Sequence, residues 1–123
     1  MANIGGNISG IIQKKISSGK NSIGEQITTW LNVTGLFGWL DLQNGDSKYN
    51  NFNAKVEEST HIFVCDYDST IYSLSMPDKT GTAPIVRAIL KGVVYDVLLI
   101  DNPMEMDEQL EIYLRRVGAW DGK

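Results

Sequence analysis

The feature that most constrains the fold is a pair of alternating apolar segments late in the chain, at residues 85–91 and 93–100. In the first segment every second residue is apolar: Val86, Ala88 and Leu90. This period of two is typical of a β-strand. The second segment is apolar on both faces, as in a strand that is covered on each side. Because Lys91-Gly92 between them is a turn signal, the two segments predict a β-hairpin.

Further strands are predicted before and after this hairpin. Residues 28–42 are rich in aromatic and β-branched side chains, and they read as one long strand or two joined strands. The segment contains Gly35 and Gly38, and glycines inside a strand pattern indicate a bulge or a sharp bend. Trp30 and Trp39 are expected at the rim of the core, where their indole N–H groups find partners. Three more strands are predicted, at residues 61–67, 71–75 and 110–117.

The N-terminal region differs in character from the rest of the chain. Residues 1–24 contain five glycines together with repeated Ser and Asn. Ile8, Ile12 and Ile16 have helical spacing, but Gly10 lies between them and disfavours a helix. We therefore expect residues 1–24 to form a flexible N-terminal arm that orders against a partner.

The remaining residues fit one small domain. A length of 123 residues is typical of a single domain. We expect the domain at residues 25–118, with a long polar loop at residues 43–59 and a loose tail at residues 119–123. Several short strands separated by turn signals predict a mainly β protein, and a small antiparallel β-barrel, OB-like or similar, avoids exposed sheet edges.

The sequence offers little of what catalysis requires. His61 is the only histidine and Cys65 the only cysteine, so they cannot fill the four positions of a zinc site. Asp66 and Asp68 flank Cys65 and would raise its pKa, so we interpret it as a buried apolar residue. No phosphate-binding glycine motif is present. We therefore expect a protein that is not an enzyme, with no catalytic residues, no metal and no cofactor.

Charge and hydropathy bear on two classes of partner, nucleic acids and membranes. The net charge is −4, and the only basic cluster near the N-terminus is Lys14, Lys15 and Lys20, which disfavours tight binding to DNA phosphates. No apolar run is long enough for a spanning helix, and residues 1–20 lack the pattern of a signal peptide. We therefore expect no membrane association, and synthesis in a cytoplasm.

The order of short motifs resembles the phage head–tail joining family, also described as head closure or head completion proteins. The resembling segments include Glu-Ser-Thr-His-Ile at residues 58–62, and Lys-Gly-Val-Val-Tyr-Asp-Val at residues 91–97, which follows Arg87. Their shared order along the chain carries the resemblance. The other resembling segments are residues 24–30, 39–41, 100–103 and 110–114. Together these segments span about four-fifths of the chain.

The resemblance implies a virion protein of the head–tail interface that first exists in the host cytoplasm. Members are small β-barrels that form a homo-oligomeric ring, typically a dodecamer, below the portal and its adaptor and above the tail proteins. The ring continues the DNA channel without specific DNA contacts. In such members the polar loop ahead of the Ser/Thr-His strand enters the channel and helps to retain DNA. The corresponding tip here is Tyr49, Asn50, Asn51, Phe52 and Asn53.

We therefore predict that the protein has a structural role, as a connector ring subunit that closes the head and provides a docking surface for the tail. Three alternatives stay open from the sequence. One is an OB-like nucleic-acid-binding domain, another is a tail terminator or other ring protein of the neck, and the last is a small enzyme whose site has no recognisable motif.

Overall fold

The computed structural model describes residues 4–20, 22–24, 26–42, 59–77, 81 and 83–122. Within these residues the chain forms six β-strands and one short α-helix, α1 (Ser69–Ser73). The strands are β1 (Ile8–Lys20), β2 (Gln26–Leu42), β3 (His61–Asp66), β4 (Val86–Leu90), β5 (Val93–Asp101) and β6 (Gln109–Ala119). No helix among the described residues is long and apolar enough to cross a membrane.

All six strands belong to one closed antiparallel barrel, in the order β1-β2-β3-β6-β5-β4. Two three-stranded meanders, β1–β2–β3 and β4–β5–β6, are joined along β3–β6 and β1–β4. The prediction of a mainly β chain with a small antiparallel barrel is thus confirmed. Six strands in two meanders differ from the five-stranded Greek-key barrel of an OB-fold.

The N-terminal arm that the sequence suggested is instead, from Ile8 onward, a strand of the barrel. β1 pairs with β2 on one side and with β4 on the other, and it closes the sheet. Ile8 and Ile12 are buried in the core. A spacing of four residues places side chains on one face of a helix, but it also places them on one face of a strand, because four is a multiple of two. The apolar spacing alone could not separate the two structures.

The long segment at residues 28–42 is a single strand, β2, that pairs with different neighbours along its length. Gly38 is where β2 begins to pair with β3, and from Gly38 to Leu42 it does so in register. A Cβ at Gly38 would meet the Val64 carbonyl oxygen and the Phe63 ring. The glycine therefore allows a close approach of two strands, a role that differs from the bulge or sharp bend that the sequence pattern predicted.

The β1–β2 hairpin extends beyond the barrel wall. Residues 16–20 of β1 pair with residues 26–29 of β2 and with no other strand among the described residues, whereas β4 pairs with residues 10–14 of β1. Lys15 lies at the boundary, because it pairs with Trp30 and its backbone N–H donates to the Ile85 carbonyl oxygen (2.9 Å). A shift in register opposite Val33 changes which β2 side chains face inward. One half of the hairpin is therefore part of the barrel wall, and the half that contains the β1–β2 turn is a two-stranded ribbon that projects from it.

The segment at residues 71–75 forms a helix and not the predicted strand. Asp68 caps α1, since its Oδ1 accepts hydrogen bonds from the backbone N–H groups of Thr70 (2.8 Å) and Ile71 (3.4 Å). Ile71 and Leu74 are three residues apart and both belong to the buried core. An aspartate N-cap followed by apolar residues at helical spacing explains the outcome.

The predicted hairpin at residues 85–100 is confirmed as β4 and β5. Lys91 and Gly92 both have positive φ angles (49° and 75°), as a two-residue hairpin turn requires. The predicted tail begins later than expected, because Ala119 is still in β6 and the Trp120 backbone N–H donates to the Gly92 carbonyl oxygen (2.8 Å). The C-terminal residues thus contact the β4–β5 turn.

Candidate functional site

The structure describes only the base of the polar loop predicted at residues 43–59. Its predicted tip, Tyr49, Asn50, Asn51, Phe52 and Asn53, lies outside the described residues. The described chain ends at Leu42 and begins again at Ser59, and Leu42 pairs with His61. Both ends of the loop therefore meet at one end of the barrel, together with the β4–β5 turn.

The base of this loop is attached to β6 by backbone and side-chain hydrogen bonds. The Thr60 backbone N–H donates to the Leu114 carbonyl oxygen (2.8 Å), and the Arg116 backbone N–H donates to Thr60 Oγ1 (2.8 Å). Ser59 is buried. The loop therefore leaves the barrel from a fixed support, which is what a positioned loop needs.

His61 lies at the start of β3 as predicted, and its contacts are structural. Its ring packs edge-on against Tyr95 with 5.2 Å between ring centroids, and Nδ1 is 2.9 Å from Thr60 Oγ1. Burial lowers the pKa of His61, and the positive charge of Arg116 lowers it further, while Asp41 raises it. These contacts favour the neutral ring at neutral pH.

Cys65 is buried, with 4% of its surface exposed, as the sequence predicted. Burial raises the pKa of its thiol to about 12, and the charges of Asp68 and Asp66 act in the same direction. A thiol with such a pKa is almost wholly protonated at neutral pH and is a poor nucleophile. In the part of the chain that the structure describes, no three His, Cys, Asp or Glu residues are grouped so that they could hold a metal ion.

The outer face of β2 carries exposed aromatic side chains. Phe37 is 58% exposed and Trp39 is 47% exposed. Leu36 precedes Phe37, Gly38 lies between the two aromatic residues, and both Leu36 and Gly38 are buried. Trp39 Nε1 donates to the Ile4 carbonyl oxygen (2.8 Å), so its indole is anchored by its polar atom while its ring remains half exposed. We call Phe37, Trp39 and Asp41 the β2 aromatic stripe. Trp39 thus lies on the outside of the wall rather than at the rim of the core.

A shallow groove of about 370 Å³ lies on the outer surface between the start of β4 and the middle of β5. Polar and apolar atoms contribute about equally to its lining, and Ile85 at its margin is 60% exposed. The charged part is an ion pair in which Arg115 Nη2 is 3.1 Å from Asp96 Oδ2. We call this the β4–β5 groove; its lining includes Pro84, Ile85, Val86, Asp96, Leu98 and Arg115.

A polar network on the outer face of β1, β2 and β4 lies beside this groove. The Arg87 guanidinium stacks on the Trp30 ring at 4.1 Å from its centroid, and Arg87 Nε donates to Gln13 Oε1 (2.8 Å). Gln13 Nε2 in turn donates to Asn32 Oδ1 (2.6 Å). Arg87 Nη2 is buried and has no hydrogen-bond partner among the described residues. The network holds the cation flat against the barrel wall.

Charged residues differ from strand to strand, and β5, which pairs with β4, carries the carboxylates Asp96 and Asp101. β1 and β4 carry cations and no carboxylate, and their described cationic side chains are Lys14, Lys15 and Arg87. β2 and β3 carry carboxylates and no Lys or Arg, and these carboxylates are Asp41 and Asp66. In the order of the barrel, the β2–β3 pair lies opposite the β4–β5 pair. The aromatic stripe and the groove therefore lie on opposite sides of the molecule.

No local sequence pattern predicts the groove, because its lining comes from three separate segments of the chain. A register shift between Val97 and Leu99 leaves Leu98 as an extra residue in β5, and this residue lines the groove. The aromatic stripe had a signal, since Phe37 and Trp39 alternate with Leu36 and Gly38. That signal does not say which face of the strand is buried.

Comparison with known protein families finds no family model that matches this chain, and comparison with curated proteins finds no match.

Proposed function

We propose that this chain is a structural virion protein of a tailed phage, a subunit of the head–tail connector ring that closes the head. The observation that carries the assembly part of the proposal is the β2 aromatic stripe, where Phe37 and Trp39 are about half exposed on the outer wall of a closed barrel. Neighbouring exposed aromatic side chains mark protein–protein interaction sites. A surface of this kind supports a protein whose work is done by binding other proteins.

The phage part of the proposal is supported by where the resembling motifs lie in the fold. Residues 61 and 62 of the first motif begin β3, residues 91–97 form the β4–β5 turn and the first half of β5, and residues 110–114 lie in β6. β3 pairs with β6, and β6 pairs with β5, so these motifs occupy neighbouring strands. Motifs that are distant in sequence and adjacent in space are more informative than isolated matches. The closed β-barrel also agrees with what the resemblance implies.

In this proposal the ring lies in the neck of the virion, after synthesis in the host cytoplasm. One side of the ring would meet the portal or its adaptor, and the other would meet the tail terminator or tail proteins. The loop at residues 43–58 would project into the channel and help to retain packaged DNA. Its fixed base at Thr60 and Leu114 supports such a role, because a loop that resists DNA pressure needs a rigid support.

The second candidate function is binding of single-stranded nucleic acid. It is favoured by the Trp30–Arg87 stack, which lies beside Gln13 and on the same side of the barrel as Lys15. Aromatic rings and cations on a sheet bind single strands by stacking and by phosphate contacts. The net charge of −4 argues against this function, because phosphate binding requires a basic surface.

Deletion of the gene tests the proposed function directly. We expect phage that lack this chain to accumulate DNA-filled or leaky heads and free tails, with infectivity restored by supplying the protein in trans. A cryo-EM map of the wild-type neck should show a ring of this barrel between portal and tail, which also separates it from a tail terminator. Normal tailed virions without the chain would contradict the proposal. Salt-sensitive binding of oligonucleotides by the purified protein would favour the second candidate.

A further inference from the structure

We propose that residues 4–7 form a releasable strap that covers a free edge of β2 and opens while the barrel stays folded. We call this segment the N-terminal strap. When closed it occupies the groups to which an extended polypeptide segment would bind, and when open it makes them available to such a segment. The inference rests on the proposed function in one respect, because the strap lies on the wall that carries the β2 aromatic stripe.

β2 has a free edge at the point where β1 begins. The pairing of β1 with β2 starts at Ile8 and Gly38, while β2 continues to Leu42 in register with β3. Residues 39–42 of β2 therefore pair with β3 on one side and with no strand among the described residues on the other. A free edge presents backbone N–H and C=O groups that pair with another extended chain unless something covers them.

The N-terminal strap covers the beginning of this edge. The Asn7 backbone N–H donates to the Gly38 carbonyl oxygen (2.8 Å), and the Leu40 backbone N–H donates to Asn7 Oδ1 (3.2 Å). At Leu40 an amide side chain thus takes the place of the backbone carbonyl that a neighbouring strand would supply. The strap therefore satisfies the two groups with which an incoming extended segment would pair first.

The strap also holds a ring of the aromatic stripe. Gly5 has a positive φ angle (69°), and Ile4 on its far side is bound by both of its backbone polar groups. The Ile4 N–H donates to Asp66 Oδ1 (3.0 Å), and the Ile4 carbonyl oxygen accepts from Trp39 Nε1 (2.8 Å). The indole N–H and the carboxylate thus bind the main chain of a single residue. Such contacts recognise an extended backbone and not a particular side chain.

A contact between two glycines lets the strap lie close to β2. A Cβ at Gly6 would meet the Gly38 carbonyl oxygen and would lie 2.6 Å from Gly38 Cα. These are backbone atoms, so they cannot rotate out of the way as a flexible side chain can. A side chain at position 6 would therefore displace the strap from β2, and Gly6 is the residue that admits it.

The attachment of the strap is polar and superficial. None of residues 4–7 is buried, whereas Ile8, the next residue, belongs to the core. Surface hydrogen bonds are exchanged for bonds to water when a segment opens, so each one stabilises the closed position only slightly. Segments with few buried apolar contacts open locally, at a lower free energy than the strands of the core. The strap thus opens while β1 stays paired from Ile8 onward.

Native-state hydrogen exchange of the full-length protein, followed by NMR, measures this opening. The Leu40 amide and the Trp39 indole N–H are the two reporters, because they bind different residues of the strap. The Ile112 amide reports the opening of the barrel, since Ile112 lies in β6 between Phe63 of β3 and Ile100 of β5. Each protection factor is taken relative to the unfolded chain.

We expect equal protection factors of about ten or more at the two strap reporters, and a protection factor at least about tenfold higher at Ile112. Gly6→Ala should lower the protection of both reporters about tenfold and by the same factor, because one opening exposes both groups. Gly35→Ala is the matched control, since its Cβ would make only an ordinary contact of 3.7 Å with the Gly10 carbonyl oxygen. It should leave both reporters unchanged.

Binding of an extended segment is tested with an amidated peptide of residues 1–7, Met-Ala-Asn-Ile-Gly-Gly-Asn. In an NMR titration up to millimolar concentration, the peptide should shift both reporter signals of the Gly6→Ala variant. Its affinity for the wild type should be at least about tenfold lower, because the strap already occupies the site there. A peptide with alanine at the position of Gly6 is the control and should shift neither reporter in either protein.

Reporters that exchange together with Ile112 would overturn the inference, because the strap would then open only with the barrel. So would a Gly6→Ala variant in which the two reporters respond by different factors, or one whose reporters the peptide does not shift. Each of these results leaves the connector role to the deletion experiment, which does not depend on the strap. Conversely, normal tailed virions without the chain would contradict the connector role while the exchange and titration results stood.

Discussion

Cys65 shows how the environment of one residue decides its chemistry. Its thiol lies in the core beside Phe63 and Leu110 on neighbouring positions of β3 and β6, and its pKa is raised to about 12. The folded state therefore holds the thiol proton more tightly than the unfolded chain, whose cysteine has an ordinary pKa near 9.0.

The pH dependence of stability follows from this difference. Above about pH 9 the unfolded chain binds fewer protons than the folded one, so the free energy of unfolding should fall as the pH rises towards 12. The contribution of Cys65 is at most about 1.4 kcal/mol per pH unit. Urea unfolding at a series of pH values should show a shallower decline for Cys65→Val than for the wild type. Tyr72 and Tyr113 also have raised pKa values, but they are present in both proteins and cancel in the comparison. Equal slopes would contradict the assignment.

At the scale of the element, β2 contains two glycines with different surroundings. A Cβ at Gly38 would meet the Val64 carbonyl oxygen and would lie 3.0 Å from the Phe63 ring. A Cβ at Gly35 would have only the Gly10 carbonyl oxygen nearby, at 3.7 Å, which is an ordinary contact. The two positions therefore separate a glycine that the barrel requires from one that it tolerates.

Substitution by alanine tests this distinction. Gly38→Ala should lower the free energy of unfolding by about 1–3 kcal/mol, because β2 and β3 must move apart to admit the methyl group. Gly35→Ala is the matched control in the same strand and should change it by no more than about 0.5 kcal/mol. Chemical denaturation measures both values. A Gly38→Ala protein as stable as the control would show that β2 and β3 do not approach as described.

At the scale of the whole molecule, β1 decides whether the sheet is closed. It joins β2 to β4, so that without it the two meanders would be connected only through β3 and β6. Barrel closure removes free strand edges, which in an open sheet would pair with other chains. Residues 8–20 are thus a strand of the barrel, and not a separate arm.

A buried charge in β1 tests its place in the barrel. Ile12 is fully buried, so Ile12→Asp should destabilise the protein by at least about 3 kcal/mol, because an unpaired carboxylate would lie in the core. Ser9→Asp is the control, since Ser9 lies in the same strand and is exposed. Thermal unfolding followed by circular dichroism should show a large loss for the first variant and little change for the second. An arm outside the barrel would tolerate both.

The sequence by itself determined most of the local structure. Alternating apolar residues and the Lys91-Gly92 turn were sufficient for β4 and β5, and the flanking aspartates of Cys65 indicated the direction of its pKa shift. Period and turn chemistry are properties of neighbouring residues, so they can be read without the fold. The prediction of a strand at residues 71–75 was wrong, because the Asp68 cap and the helical spacing of Ile71 and Leu74 favour a helix there.

The tertiary structure decided what no local pattern contains. Ile8 and Ile12 have a spacing that suits a helix or a strand equally, and only pairing with β2 and β4 selected the strand. The β4–β5 groove requires a bulge at Leu98 and a side chain from β6, and its position opposite the aromatic stripe requires a closed barrel. The predicted loop tip stays a prediction, since it lies outside the described residues. Contacts between distant segments depend on how the strands are ordered and closed, which is why the groove emerged from the fold and not from the sequence.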